Sequence, residues 1–470
     1  MPPIKIHENG LFIFRRDLRI TDNNGLNLIS KSCKKVYTVF IFTPEQVTTE
    51  NKYKAEDAVQ FMIESLIDLS HELNKNGGHL YSFYGENTKT IKQLIKLLDI
   101  SMVGFNKDYT PYALKRDKEI EKMCTEDLKV EVLQAYDYSL HDPDTIFNKA
   151  GEPYQKFTPY YEAALKEKIT PSIMVSGDKI NFAKKGGEIQ GTNLHRMPFE
   201  LALHKFTTNN PYLMVYGGRT EALLKLNKEL KKQKHYSHTR DDLSTETSGL
   251  SAYIKFGCIS IREVYKKFKT NKPFVRQLFW RDFYANVIYS FPHVLGHSLK
   301  PAYDKIKWSY NHKYIEAWKN GMTGYPVVDA GMRQLNKTGY MHNRARLIVA
   351  SFLVKTLLVD WRVGEKYFAT KLTDYDPASN NGNWQWISGG GADSQPYFRI
   401  FNPWEQAKKH DPDCIYITTW IPELKDVPKK DILNWDSEYE SYKNIHYPKP
   451  LLDYYETKDD TLAAYKKIFK

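Results

Sequence analysis

Over residues 11–135 short apolar runs alternate with longer amphipathic ones, and no other feature restricts the fold of this chain as strongly. The runs at 11–14, 36–42, 80–84, 102–105 and 130–134 have the length and composition of buried strands. Between them, 55–73 and 88–98 carry apolar residues at helical spacing, which predicts amphipathic helices. Strands that alternate with helices in this way form a parallel sheet covered on both faces. The G-x-G-x-x-G fingerprint of dinucleotide binding does not follow the first run; Arg15-Arg16-Asp17 stands in that turn instead.

The pattern changes after 135. Residues 136–216 show weak periodicity, prolines at 143, 153, 159, 171, 198 and 211, and the pair Lys184-Lys185. They predict a long interdomain connection with short helices, packed along a surface. From 217 onward helical periodicity dominates, over 220–230, 261–268, 275–288, 327–335 and 343–358. The expected architecture is an α/β N-terminal domain at 1–135 (a doubly wound, Rossmann-like parallel sheet), the connection at 136–216, and an all-α domain at 217–470. A length of 470 residues suits two cores better than one.

The net charge of +12 favours an anionic partner such as nucleic acid, although a lysine-rich solvated surface gives the same total. Aromatic residues make up 14% of the chain, enough for a large core and for stacking surfaces. Cys33, Cys124, Cys258 and Cys414 have no spacing for zinc or for a disulfide framework, so no metal site is expected and a reducing compartment is. The start Met1-Pro2-Pro3 lacks an apolar leader, and the apolar stretch at 347–359 is too short to span a bilayer. The expectation is a soluble protein of the cytoplasm or nucleus that meets DNA and no membrane.

Chemistry concentrates at Asp374-Tyr375-Asp376-Pro377-Ala378-Ser379-Asn380-Asn381-Gly382-Asn383-Trp384-Gln385-Trp386. Carboxylates and amides offer donors and acceptors to a polar ring edge, and indoles offer flat faces. Asn-Gly also marks turns, and indoles also serve as packing. Upstream, Thr247-Ser248-Gly249-Leu250-Ser251 precedes an apolar run, as a helix start that binds an anion does; a plain helix cap reads the same way.

Together with Phe14-Arg15-Arg16-Asp17-Leu18-Arg19, the run from Gly321 to Leu335, Met341-His342-Asn343-Arg344 and Pro396-Tyr397-Phe398-Arg399, these segments resemble the photolyase/cryptochrome family. The resemblance is greatest to class I cyclobutane-pyrimidine-dimer (CPD) photolyases and covers nearly the whole chain. It implies that 217–470 binds FAD, reduced in the active state. Tyr236, Arg240, Thr247, Ser248, Gly249, Leu250 and Ser251 are then FAD contacts at the diphosphate end. Asp374 pairs with Arg346 near the flavin, Asp376 bonds the ring system, and Asn380 faces flavin N5. Gln277, Arg281 and Tyr375 complete the implied cofactor contacts. Trp308, Trp361 and Trp384 match a tryptophan chain that refills an excited oxidised flavin.

By the same resemblance, the partner is DNA carrying pyrimidine dimers. A blue-light-excited reduced flavin lends an electron to the dimer, the cyclobutane ring splits and the electron returns, with Asn380 and Gln277 as the catalytic side chains. Gln277, Trp280, Asn343, Arg344, Trp386 and Arg399 are the implied contacts to the lesion and its strand, with Trp280 and Trp386 walling a flipped-out dinucleotide. The chain departs from CPD enzymes at Gln277, where Glu is common, at Leu347, where Met is common, and in the looser run Gly389-Gly390-Gly391. A (6-4) photolyase and a cryptochrome-type photoreceptor are the alternatives. The first needs a histidine acid where this chain has Asn343 and Leu347. An antenna chromophore, folate or deazaflavin, is plausible beside Asn106-Lys107-Asp108-Tyr109, and a monomer is expected.

Overall fold

The computed structural model describes residues 6–172, 179–186, 189 and 193–469, so the reading of the chain start at 1–5 falls outside the described residues. Five parallel strands, β1 (His7–Phe14), β2 (Cys33–Phe42), β3 (Leu80–Tyr84), β4 (Met102–Asn106) and β5 (Glu131–Ala135), form one sheet in the order β3-β2-β1-β4-β5. β2 is buried from Val36 to Phe42, the near-continuous apolar run that a strand covered on both faces requires. The helices Asn24–Ser32, Glu56–Lys75, Asn87–Leu97 and Pro111–Lys122 supply the crossovers. The strands thus fall where the sequence predicts them: β1, β2 and β4 are longer by one to four residues, β3 has the expected bounds and β5 is shifted by one residue.

The chain reverses direction across the sheet between β1 and β4. In open α/β sheets the crevice at the carboxyl ends of the strands flanking this point is where ligands usually bind. Here the crevice is filled from within. Asn106, at the end of β4, is fully buried and donates to Asp17 and to Asn23 Oδ1 (2.8 Å), while its Oδ1 accepts Gly25 N (2.9 Å).

The connection packs along the α/β layer. Phe182 bridges to Val36 and Arg196 to Phe83, both along the β3 side of the sheet, and the helices Phe157–Ala164 and Phe199–Phe206 are its regular parts. One apolar core joins one face of the sheet to this connection and to helices up to Leu299, and reaches Ala378 and Ala392. A second core covers the opposite face of the sheet, and a third lies within the C-terminal helices. The helix expected over 343–358 divides into Asn343–Ser351 and a wider π-helical turn at Phe352–Thr356. The run Gly389-Gly390-Gly391 is not loose. Gly389 ends the Pro377–Ser388 helix with φ +95°, and a Cβ on Gly390 would lie 2.9 Å from Tyr303.

Gly257 is where the helical part meets the first turn. Its φ is +67°, and a Cβ there would lie 2.4 Å from the Arg16 carbonyl oxygen. Leu18 N donates to Phe256 O (3.0 Å) and Arg19 Nη1 to Gly257 O (3.1 Å) across the same seam. Gly257→Ala should therefore cost about 2–4 kcal/mol, the sum of left-handed strain and overpacking. Urea unfolding of the variant and its parent measures this; an unchanged midpoint would contradict the close approach.

Candidate functional site

Five side chains from four separate segments close into a connected set. Arg346 holds Asp374 through two bonds, Nη1 to Oδ1 (3.2 Å) and Nη2 to Oδ2 (3.0 Å). Two parallel donors fix both the distance and the plane of a carboxylate. Ser251 Oγ donates to the same Oδ2 (2.7 Å). On the other side Arg346 lies 5.3 Å from the Tyr340 ring, and Tyr340 OH bonds Thr247 Oγ1. The ion pair expected from the sequence is present, and it ties the 247–251 loop to the Asp374 segment. Gly249 turns that loop with φ +61° into a five-residue helix, Ser251–Lys255, whose first turn carries no side-chain cap. Tyr236 is half-buried and packs on Phe274 (5.2 Å), whereas Arg240 is exposed beside Asp241.

Asp376 caps the Pro377–Ser388 helix, its Oδ1 accepting Ser379 N (3.0 Å). Its Oδ2 accepts Arg16 Nη1 (3.0 Å) and Tyr109 OH (2.9 Å), both from the α/β part. Burial pushes this carboxyl up, but Arg16, Arg281 and Lys255 outweigh burial and hold it well below the ordinary carboxylate range. Any contact from Asp376 to a flavin is therefore shared with a junction between the two parts of the chain. Four residues later, Asn380 donates through Nδ2 to Glu365 O (2.9 Å). This leaves Oδ1, an acceptor, as the amide atom open to a ligand N–H. Asn381 Nδ2 donates to the Glu365 carboxylate (3.1 Å), and burial raises that carboxyl.

Trp361 and Trp384 are 1% and 3% exposed, while Trp308 is half-buried. A Cβ on Gly364 would lie 2.1 Å from Trp384, which is how the Trp361–Ala369 helix can approach that ring. The buried indole N–H groups of Trp308 and Trp361 have no hydrogen-bond partner among the described residues.

The lesion candidates divide between two places. Gln277 and Trp280 lie on the Lys272–Ser290 helix, both half-buried. Gln277 Nε2 reaches only its own helix, at Pro273 O (3.4 Å), and Trp280 lies flat on Phe157. Arg281 donates to Tyr138 O, anchoring the connection. Trp386, also half-buried, packs with the C-terminal core, and Tyr375 stacks on Tyr53 (6.4 Å). Arg344 and Arg399 line a cavity of about 500 Å³ with Phe401, Gln406, Lys409 and His410, and Arg344 pairs with Asp241 (2.8 Å). Asn343 is exposed at the start of the adjoining helix.

The antenna candidates Asn106, Asp108 and Tyr109 are engaged inside the protein. Asp108 pairs with Arg16 (2.9 Å) and Tyr109 with Asp376, whereas Lys107 is half-buried with its ammonium 4.6 Å from the Tyr136 ring, so part of this segment belongs to the junction between the layers. Arg16, Lys255, Tyr340 and Glu365 carry no assigned role in the sequence reading. Arg16 stood in a recognised motif, but nothing local marks a residue whose partner lies 360 positions away. Burial lowers the Lys255 ammonium to about 8, with Arg16 adding to the effect.

Residues 11–175 match the DNA photolyase family, and residues 274–467 match the FAD binding domain of DNA photolyase. The deoxyribodipyrimidine photo-lyase of Halobacterium salinarum is 34% identical over 97% of this chain and 98% of its own length. The enzyme of that name from Escherichia coli is 33% identical over the same shares. The chain belongs to the DNA photolyase family. Among solved photolyases, the archaeal enzyme from Sulfolobus tokodaii superposes with a TM-score of 0.87 at 40% identity, covering 98% of this chain and 100% of that one. Its crystal structure holds two FAD molecules and implicates a novel light-harvesting cofactor. The class III photolyase of Agrobacterium tumefaciens gives 0.85 at 31%, covering 98% of each chain. A photolyase-type FAD domain fits the residues present: the Arg346–Asp374–Ser251 set and the free Asn380 Oδ1 are the fixed polar groups that a flavin needs.

Because Asp376 titrates below its ordinary value, its ion pair contributes fully above about pH 4, and the contribution is lost as pH falls towards the folded pKa. Asp376→Asn should cost about 3 kcal/mol at pH 7, the low end for a broken buried pair because Asp108 still holds Arg16. Thermal melts from neutral to acid pH should show the gap between variant and parent narrowing below about pH 4. A constant gap would mean that the carboxylate does not act through its charge.

Proposed function

We propose that this chain is a deoxyribodipyrimidine photo-lyase that splits cyclobutane pyrimidine dimers in DNA under blue light. The reading is carried by the Arg346–Asp374 pair closing on Ser251 with Asn380 Oδ1 free, in a chain that aligns with photo-lyases over 97% of its length. Bound there, reduced FAD supplies the electron on absorbing light. Thr247, Ser248 and Ser251 hold the diphosphate end, and Arg346 with Asp374 fixes the ring's polar edge. Asn380 Oδ1 accepts the hydrogen at N5 and keeps that proton in place without adding charge. Trp280 and Trp386 supply apolar faces for the flipped bases, and Gln277 supplies an amide to the lesion. Arg344, Asn343 and Arg399 meet the damaged strand and its phosphates.

The residues 1–135 form the antenna-type unit and 217–470 the FAD-binding catalytic unit of this proposal, with 136–216 between them. An antenna (a folate, a deazaflavin, or a second FAD as in the Sulfolobus tokodaii protein) is placed beside 106–109, where Lys107 is half-buried against Tyr136 and Asn106, Asp108 and Tyr109 are partnered within the protein. The enzyme acts as a monomer on DNA in the cytoplasm or nucleus; no described helix is long and apolar enough to cross a membrane.

A (6-4) activity lacks its acid here. His342, next to Asn343, does not replace it: its Nδ1 accepts Arg344 N (3.1 Å), and burial pushes it down to about 4. A neutral imidazole at physiological pH has no proton to give from a charged form.

Irradiation of the purified protein with CPD-containing and with (6-4)-containing DNA should give repair of the first substrate alone. Repair of the second, or of neither, overturns the proposal. Trp308→Phe should slow photoreduction of oxidised FAD far more than repair by chemically pre-reduced enzyme, because refilling the flavin and reaching the lesion use different routes. Equal losses would make Trp308 a packing residue. DNA affinity should fall steeply with salt for damaged and undamaged duplexes alike, as phosphate contacts demand.

A further inference from the structure

Trp280 does not stand alone as a wall. Phe157, fully buried at the start of the Phe157–Ala164 helix, lies against it face to face, with ring centroids 3.7 Å apart and planes 7° from parallel. Behind Phe157, Tyr161 continues the stack at 5.6 Å and 16°, and the Arg276 guanidinium sits 5.0 Å from the Phe157 ring and 5.2 Å from Tyr161. Trp280 is half-buried, so part of the indole remains in contact with solvent although Phe157 covers one face. On that ring's own helix, Tyr284 leans on Trp280 (5.6 Å) and abuts Gly382 of the helix that carries Asn380, where a Cβ would lie 2.1 Å from it.

Phe157 comes from the connection, and its backbone is pinned to the loop that follows the Asn380 helix. Asp393 N donates to Gln155 O (2.8 Å), and the Asp393 carboxylate accepts the backbone N–H of Phe157. Asp393 itself sits at φ +49°, and the neighbouring Ser394 hydroxyl accepts Lys300 Nζ (2.8 Å). The aromatic backing of Trp280 is thus fixed at two places: the Lys272–Ser290 helix, and the loop leaving the proposed flavin site.

We infer that Phe157 is a positioning residue for lesion recognition: it holds the Trp280 indole plane so that one face alone is presented, in a fixed orientation, to a pyrimidine of the flipped dimer. The inference rests on the proposed lesion-wall role of Trp280. A ring held by a coplanar neighbour loses little freedom when a base stacks on its other face, so binding is not charged with ordering the side chain. Without the backing, the indole samples other rotamers, and affinity falls for the ligand that needs its face.

The test compares Phe157→Leu, which keeps apolar bulk but removes the flat face, with Phe157→Tyr, which restores it. Binding to CPD-containing and undamaged duplexes is measured for each across a salt series, together with thermal stability and FAD content. Phe157→Leu should weaken binding of the damaged duplex about three- to tenfold, the scale of one aromatic stacking contact, with undamaged binding and salt slope unchanged. Phe157→Tyr should bind as the parent does. The double variant Phe157→Leu/Trp280→Ala should bind no more weakly than Trp280→Ala alone, because the first change acts through the second ring. A Phe157→Leu protein that weakens equally on both duplexes, or whose loss adds in full to that of Trp280→Ala, overturns the inference while leaving the wall reading intact. If Trp280→Ala itself keeps the parent's preference for damaged DNA, the wall reading fails and the inference fails with it.

Discussion

Arg16 leaves the first turn of the sheet and enters a pocket where it meets Asp108 from its own layer and Asp376 from the helical layer. A guanidinium buried this deeply is stable only when its donors are matched, and breaking one pair would leave a charge without compensation. Its position follows from the topology. β1 and β4 diverge at the switch point, and the crevice between their ends needs an occupant. In this chain the occupant is the protein itself: Asn106, Asp17 and the Arg16 cluster fill the crevice, and Gly257 closes against it at a distance that tolerates no side chain. This explains physically why the glycine fingerprint for a dinucleotide is missing after β1.

The consequence reaches the flavin region. Asp376 caps the helix that presents Asn380 and Trp384, so the register of that helix is referred to the α/β layer through one carboxylate. Close packing then fixes its other faces. Gly364 admits the Trp384 ring, and Gly382 admits Tyr284, which in turn leans on Trp280. The proposed cofactor groups and the proposed lesion wall are joined by close contacts, which would help to hold a donor and an acceptor at a set separation.

The strand runs, the helices and the site motifs were legible because each is written locally. Val36 to Phe42 reads as a buried strand from its own composition, and the Asp374–Trp386 segment carries its donors within thirteen positions. The partners of 106–109 were not legible for the converse reason. Asp108 and Tyr109 look like free polar residues until Arg16 and Asp376 are brought to them. The run at 389–391 read as loose because glycines have no side chain to pack, whereas Tyr303 and Ser298 press directly on their backbone.

The sequence by itself determined the layer order, the family and the identity of the polar groups offered to a flavin, since periodicity and motif chemistry act over a few residues. Only the tertiary structure decided which of those groups remain free. The Glu365 carbonyl takes the Nδ2 of Asn380, and Phe157, 123 positions earlier, takes one face of Trp280. Availability depends on partners that the chain supplies from a distance, and a partner's position is set by packing rather than by neighbours in sequence.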